Sequence, residues 1–87
     1  QITADADLAG ADLTDADLSG ANLQGANMTW SNLTSANLQD ADLTGANLGT
    51  ADLTGADLTN AKMSGVVLDG AKLCKTKLPT GTDNSGC

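Results

Sequence analysis

Leucine recurs at every fifth position along most of this chain, and no other feature constrains the fold as strongly. The segment ADLTGANLGTADLTGADLTN, residues 41–60, shows the pattern four times in succession. The register runs from Leu8 to Leu78, contains all thirteen Leu of the chain, and is completed by Met28 and Met63. Ala stands two positions before this aliphatic residue in twelve of the fifteen units. The other three units carry Ser31, Val66 and Thr76 there.

An α-helix cannot use this spacing. Five residues advance a helix by about 500°, so successive Leu side chains would be displaced by about 140° around the axis. They would form no single apolar face. Gly, Asp, Asn and Thr, which fill many of the other positions, are also weak helix formers. The pattern therefore excludes a helical fold.

Extended backbone fits the spacing better. Residues two apart on a strand point to the same side, so the Ala and the Leu of each unit share a face. The next Ala follows after three residues, and a turn in the two residues after each Leu is needed to restore its direction. Gly takes the second of these positions in seven units, where a positive φ costs it little. The pattern predicts a β-solenoid with Leu and Ala inside and polar residues outside.

The units ADLTG, ANLQG and ADLSG resemble the pentapeptide-repeat family, whose pattern is A-(D/N)-L-x-x. The resemblance implies an all-β fold, a right-handed quadrilateral β-helix with four units per coil. It further implies about 3.75 coils and a rod of about 18 Å, because stacked strands lie about 4.8 Å apart. We expect a lead-in over residues 1–5, the β-helix of fifteen units over residues 6–80, and a tail over residues 81–87. Ile2 is expected to cover part of the N-terminal opening, and Pro79 to end the ladder.

With four units per coil, residues twenty apart stack, and the outward residue of each unit belongs to one of four columns. No column places one Asp directly on another, where two carboxylates about 5 Å apart would repel each other. Three columns end in Lys. The columns read Asp7, Asn27, Asn47, Val67; Asp12, Asn32, Asp52, Lys72; Asp17, Asn37, Asp57, Lys77; and Asn22, Asp42, Lys62.

Cys74 and Cys87 are the two cysteines, and both lie near the C-terminal end. With no His and no second Cys pair, a zinc site is disfavoured. A disulfide in an oxidising compartment is favoured over the alternative, two free thiols in a reducing cytosol. The stretch LCKTKLPTGTDNSGC also resembles the C-terminal end of pentapeptide-repeat proteins from cyanobacteria and the thylakoid lumen. That resemblance implies a disulfide between Cys74 and Cys87.

Composition disfavours several classes of function. The net charge of -7 disfavours nucleic-acid binding, and no apolar run approaches the roughly 20 residues of a membrane span. Without His, Glu, Arg or Tyr, the usual catalytic pairs cannot form, so we predict no enzyme and no catalytic residue. Asp-Ala-Asp stretches begin at Asp5, Asp15 and Asp40. We interpret them as solvated acidic corners, because calcium takes about six to eight oxygens, and we expect no metal or other cofactor.

Two residues are candidates for contact with a protein partner. Trp30 is the only aromatic residue of the chain and takes a turn position, so its ring is expected on the outside. Val67 replaces the usual Asp or Asn of its column and is a second outward apolar residue.

The resemblance implies a non-catalytic interaction module of chloroplasts or cyanobacteria, located in the thylakoid lumen or, in cyanobacteria, in the periplasm. We expect it to dock on the lumenal face of a photosynthetic membrane complex without inserting into the membrane, and end-to-end association through the N-terminal coil is a further expectation. The start at Gln1 instead of Met suggests a processed, mature chain or a trimmed one. The rival is an acidic DNA mimic that inhibits a topoisomerase. Residues 1–60 carry nine Asp and no cation, but the rod is short, Lys clusters at one end and Phe is absent.

Overall fold

The computed structural model describes residues 4–87, so the expectation for Ile2 lies outside the described residues. Parallel β-bridges connect residues twenty apart, beginning with Asp7 and Asn27. Each five-residue unit therefore stacks on the fourth unit before it, and the chain folds as a β-helix. Each bridge joins Asp to Asn, Asn to Asn, Asp to Lys or Asn to Val, and none joins two Asp. The predicted columns are confirmed.

The backbone hydrogen bonds between coils explain why every unit is alike. The Leu33 amide donates to the carbonyl of Asp52 in the next coil (2.8 Å), while the Asn32 amide donates to the carbonyl of Ala11 in the previous coil (2.9 Å). The corner that follows is a β-turn, in which the Ala36 amide donates to the Leu33 carbonyl (3.0 Å). Successive units repeat these bonds, so extended segment and turn alternate along the tube.

The predicted turn conformation is confirmed at every corner. Each fifth residue from Asp5 to Lys75 has a positive φ, between 53° and 72°. Gly occupies seven of these positions, as predicted, because only Gly adopts this region without steric cost. Larger residues take the same backbone conformation in the other eight: Asp5, Asp15, Trp30, Ser35, Asp40, Thr50, Asn60 and Lys75.

A local hydrogen bond accounts for the Asp or Asn that precedes the Leu or Met in most units. The Oδ1 atom of Asn32 accepts from the backbone amide of Thr34 (3.1 Å) and from its hydroxyl (2.6 Å). Asp52 and Thr54 make the same pair of bonds, at 3.0 and 2.6 Å. These Asp and Asn side chains thus stabilise the start of the turn that follows, as in Asx-turns.

The core is a column of aliphatic side chains that is most completely buried in the middle of the tube. Leu23, Leu58 and the aliphatic residues of the repeat register between them have no exposed surface, whereas Leu8 and Leu78 are only partly buried. The polar residues that replace Ala inside the tube have hydrogen-bond partners. The Ser31 hydroxyl donates to the Met28 carbonyl (2.7 Å). The buried Thr76 hydroxyl likewise donates to the Leu53 carbonyl (2.7 Å).

The C-terminal end differs from the prediction that the ladder ends at Pro79. Strand β1, Thr76–Leu78, bridges to Asp57 of the coil beneath through Lys77 and then pairs antiparallel with strand β2, Gly81–Asp83. Pro79 lies in the turn between the two strands, so the chain reverses at this point and continues as an antiparallel strand. The expected 18 Å counted the stacked units alone. With β2 and the tail included, the longest dimension is 30 Å.

Candidate interaction surface

One outer wall of the β-helix carries both predicted contact residues. This wall, which we call the Trp30 wall, consists of the outward side chains of residues 6–10, 26–30, 46–50 and 66–70, which stack because they lie twenty apart. Trp30 is 72% exposed and Val67 is 40% exposed, and they are the large exposed hydrophobic residues among residues 4–87. Their outward positions, read from the repeat, are thus observed in the structure.

The middle of the Trp30 wall is uncharged. Between Asp7 at one end and Asp69 at the other, its outward residues are Ala, Asn, Thr, Gly, Val and Trp. The column of each of the three other walls contains one or two Asp, always next to Asn or Lys and never next to another Asp, and ends in Lys62, Lys72 or Lys77. A partner that covers the Trp30 wall would therefore desolvate few charges, which lowers the cost of burial.

Gly49 is closely packed within this wall, next to the backbone of Trp30. It is the only Gly in the first turn position after a Leu or Met, and it is buried although it lies in an outer corner. The Trp30 amide donates to its carbonyl (3.0 Å). A Cβ atom at Gly49 would stand 3.1 Å from Oδ1 of Asn47, tighter than most such contacts. Gly49 was not predicted as part of the surface, although Gly in the first turn position of a unit was a visible signal.

On the charged walls, hydrogen bonds hold the carboxylates in their ionised form. The Thr44 hydroxyl and then its amide lower the pKa of Asp42, and Lys62 one coil further lowers it as well. The pKa of Asp57 is lowered in the same way by Thr59, with Lys77 adding to the effect. These groups thus present fixed negative charge at neutral pH.

Two glutamines tie neighbouring coils together on these walls. Gln24 stands where most units have Thr or Ser, and its Nε2 atom donates to Oδ2 of Asp42 in the next coil (2.9 Å). Gln39 makes the same bond to Asp57 (2.9 Å). These bonds were not predicted from the sequence, because each joins a turn residue of one coil to an outward residue of the next, 18 positions on.

Cys74 and Cys87 form a disulfide, with their Cα atoms 4.7 Å apart. The bridge fastens the tail to the last coil. The tail also bonds directly, since the Gly86 amide donates to the Leu73 carbonyl (2.8 Å) and Oδ1 of Asn84 accepts from the Lys75 amide (2.8 Å).

Residues 4–87 contain no group of three or more His, Cys, Asp or Glu side chains placed to hold a metal ion. Asp5, Asp15 and Asp40 occupy corner positions with positive φ, consistent with the acidic corners expected for the Asp-Ala-Asp stretches. Residues 4–87 form no long, apolar helix of the kind that spans a membrane.

The stacked five-residue units, the aliphatic interior and the polar outer walls define a β-solenoid repeat protein. The sequence pattern described as "Pentapeptide repeats" matches residues 11–49 and 51–78, in eight copies. The chain therefore belongs to the pentapeptide-repeat family. No curated protein matches the chain significantly.

Several solved structures of pentapeptide repeat proteins are similar to the chain. HetL of the cyanobacterium Nostoc sp. PCC 7120, involved in heterocyst differentiation regulation, is 33% identical over 91% of this chain and 41% of its own, with a TM-score of 0.39. A second protein of that cyanobacterium is 36% identical over 80% of this chain and 66% of its own (TM-score 0.44). One from the Arabidopsis thaliana thylakoid lumen is 26% identical over 77% and 57%, respectively (TM-score 0.22). The chain spans less than two thirds of each of these proteins.

Proposed function

We propose that this chain is a non-catalytic module that docks through its Trp30 wall on the lumenal face of a photosynthetic membrane complex. The scaffold that presents the wall is, in this proposal, a right-handed quadrilateral β-helix over residues 6–80, with about 3.75 coils at four units each. The tail over residues 81–87 closes its C-terminal end. The single observation that carries the proposal is the 72% exposure of Trp30 on an uncharged part of an acidic protein.

Trp30 occupies a corner whose backbone conformation favours Gly, although seven other non-Gly residues adopt it as well. Its φ of 61° lies in the left-handed region, where an L-residue is disfavoured by about 1–2 kcal/mol. In the same column of corners, Gly occupies positions 10 and 70, and Thr50 shares the positive φ of Trp30. A large aromatic ring held outward at such a site is typical of residues that dominate binding energy.

The size of the wall indicates a weak contact. Four units about 4.8 Å apart, each of five residues at about 3.3 Å, cover roughly 300 Å². A standard stable interface takes about 800 Å² from each partner. We therefore expect reversible docking, unless a neighbouring wall also takes part.

The disulfide supports an oxidising compartment, the thylakoid lumen or the periplasm. Cys74 and Cys87 are paired in the structure, and such bonds persist where thiols are not kept reduced. This observation agrees with the compartment implied by the sequence of the tail.

A single fluorine label can test docking. Trp30 is the only Trp, so incorporation of 5-fluorotryptophan gives one ¹⁹F resonance that a partner's own Trp residues cannot obscure. Addition of purified, detergent-solubilised photosynthetic complexes should shift or broaden this resonance. Val67→Asn should weaken the effect, because it removes the second apolar group of the wall. Asn60→Gly is the control. Residue 60 lies on the opposite side of the β-helix, ten residues or half a coil from the Trp30 column, so this substitution should leave the effect unchanged.

An unchanged resonance at complex concentrations up to about 100 μM would overturn the proposal, since even micromolar contacts would then be saturated. Equal weakening by Val67→Asn and Asn60→Gly would place the contact elsewhere.

A second candidate, the DNA mimic, is favoured by the charge of residues 1–60, which carry nine Asp and no cation. The longest dimension of 30 Å is close to one DNA turn of about 34 Å. Lys72, Lys75 and Lys77 at the C-terminal end oppose this function. A gyrase supercoiling assay decides: inhibition that is lost in Asp12→Asn/Asp17→Asn would support the mimic, and full supercoiling at high protein concentration would exclude it.

A further inference from the structure

Trp30 lies in an uncharged stretch of the chain that is bounded by carboxylates on both sides. Residues 18–39 contain no charged side chain, and Asp17 and Asp40 are the nearest charges along the sequence. The coil before this stretch and the coil after it both carry outward Asp, and residues 1–60 hold no Lys or Arg. Trp30 therefore stands on a neutral surface within a region of negative potential.

Two of the carboxylates flank the corner that Trp30 occupies. Asn32, two residues after Trp30, is bridged to Asp12 in the coil before and to Asp52 in the coil after. With coils about 4.8 Å apart and about 3.3 Å per residue, the Cα atoms of both Asp lie about 8 Å from that of Trp30. Lys72 stacks on Asp52, one coil further away. Asp12 is bridged to the uncharged Asn32, so its charge acts fully at this corner.

The corner geometry directs the Trp30 side chain toward the coil of Asp12. At three Gly corners, an added Cβ would have its nearest neighbours in the corner residue one coil before. The pairs are Gly25 with Asp5, Gly55 with Ser35, and Gly70 with Thr50. Trp30 shares the positive φ of these Gly, so its Cβ points toward Gly10, which has no side chain to cover the ring. The 72% exposure of Trp30 agrees with this direction.

Asp12 keeps its negative charge at neutral pH. The Thr14 hydroxyl donates to Oδ1 of Asp12 (2.7 Å), and the Thr14 amide donates to the same atom (3.2 Å). The hydroxyl and then the amide lower the pKa of this carboxyl. Both bonds use Oδ1, which leaves Oδ2 for a cation of a partner.

We propose that the partner segment bound at Trp30 is basic, and that an Arg guanidinium of this segment lies against the Trp30 ring beside Asp12. The inference rests on the proposed docking through the Trp30 wall and specifies the chemistry of the partner. A cation over the face of Trp is attracted by the ring quadrupole. Arg suits this position better than Lys, because its guanidinium is planar and more weakly hydrated. The surrounding carboxylates complement such a segment and repel an acidic one.

A short peptide tests this chemistry without the membrane complex. The probe alternates three Arg with Gly and has blocked termini, and its matched control carries citrulline, which has nearly the shape of Arg without the charge. Trp30 is the only Trp, so its fluorescence reports binding. In about 0.02 M NaCl, the Arg peptide should change the fluorescence with a Kd of about 1 mM. The citrulline peptide should leave it unchanged, and about 0.2 M NaCl should weaken binding of the Arg peptide about fivefold.

Two charge variants locate the contact. Asp12→Asn should weaken binding of the Arg peptide about two- to fivefold, as Coulomb's law gives for one charge at about 8 Å. The fold should persist, because Asn32 accepts the same two bonds from its own turn. Asp40→Asn removes an equal charge at the opposite corner, where Asn60 already has the required positive φ. This control should leave binding nearly unchanged.

Fluorination tests whether the ring face attracts the cation. Incorporation of 5-fluorotryptophan and then of a difluorotryptophan withdraws electrons from the ring with little change in its shape. Binding of the Arg peptide should weaken about twofold at each step, because the negative potential of the face falls. A purely apolar contact would keep its affinity.

The basic partner is overturned by equal effects of the Arg and citrulline peptides, by equal weakening in Asp12→Asn and Asp40→Asn, or by an affinity that fluorination leaves unchanged. These failures are distinguishable from failure of the proposed function. Peptide binding with these properties supports the basic partner even where photosynthetic complexes leave the Trp30 resonance unchanged. Docking of the complexes that an excess of the Arg peptide does not displace would overturn the basic partner and leave the docking intact.

Discussion

Replacing Thr50 with Gly should stabilise the protein, although the change removes a side chain. Thr50 is an exposed corner residue with a φ of 59°, and a left-handed backbone costs an L-residue about 1–2 kcal/mol. Gly avoids this cost but loses about 0.4–1 kcal/mol through the greater freedom of the unfolded chain. We expect a net gain of about 0.5–1 kcal/mol, which corresponds to a rise in Tm of about 2–8 °C for a domain of this size.

Two matched variants isolate the backbone effect from the loss of the hydroxyl. Gly45→Thr makes the reverse change at an equivalent corner, where φ is 71° and no atom lies closer than 4.0 Å to the new Cβ. It should therefore destabilise without a clash. Thr54→Gly removes a Thr that lacks positive φ and whose hydroxyl donates to Asp52 (2.6 Å), so it should also destabilise.

Urea and thermal unfolding followed by circular dichroism measure all three variants. A neutral or destabilising effect of Thr50→Gly, together with no loss in Gly45→Thr, would refute the reasoning from φ. Destabilisation by Thr50→Gly equal to that of Thr54→Gly would show that the hydroxyl, and not the backbone, decides.

Three further changes test the core, the ladder and the tail. Leu38→Ala, at a position with no exposed surface, should cost about 2–5 kcal/mol of unfolding free energy, whereas Leu8→Ala at the partly open end should cost under about 2 kcal/mol. Because Thr44 lowers the pKa of Asp42 in the folded state, the stability from this carboxylate is complete above the unfolded pKa of about 3.9 and is lost as pH falls below it. Urea titrations between pH 7 and 2.5 should therefore show a smaller acid loss in Asp42→Asn, and an equal loss would contradict this. Gly86→Ala should speed hydrogen exchange at residue 86 with the disulfide intact, because its Cβ would meet a backbone nitrogen at 2.9 Å; unchanged exchange would show that the tail adapts.

The five-residue period was enough to predict which side of the backbone each residue faces. The apolar residue at every fifth position and the Ala before it could only share a face in extended backbone with regular turns, and the structure places Leu33 and Ala36 inside and Trp30 outside accordingly. The positive φ at the second turn position was predicted from Gly. It also holds for Thr50 and Trp30, because the geometry of the turn is imposed by the repeat and not by the residue.

The five-residue periodicity alone could not predict the contacts between coils. The bond from Gln24 to Asp42 and the tight seat of Gly86 against Leu73 join residues 18 and 13 positions apart. The family resemblance supplied the four units per coil that made stacking predictable. The turn residues Pro79 and Gly81 indicated a turn, but the antiparallel pairing of β2 with β1 was not predicted.

The sequence by itself determined a tube with an aliphatic inside, a polar outside and turns at every fifth residue, because these features depend only on the direction of neighbouring side chains. Tertiary structure alone decided that Gly49 lies buried beside Trp30 and that the tail folds back over the last coil. Such features depend on which segments meet after the chain has wound through twenty residues, and that meeting is set by hydrogen bonds and packing between coils.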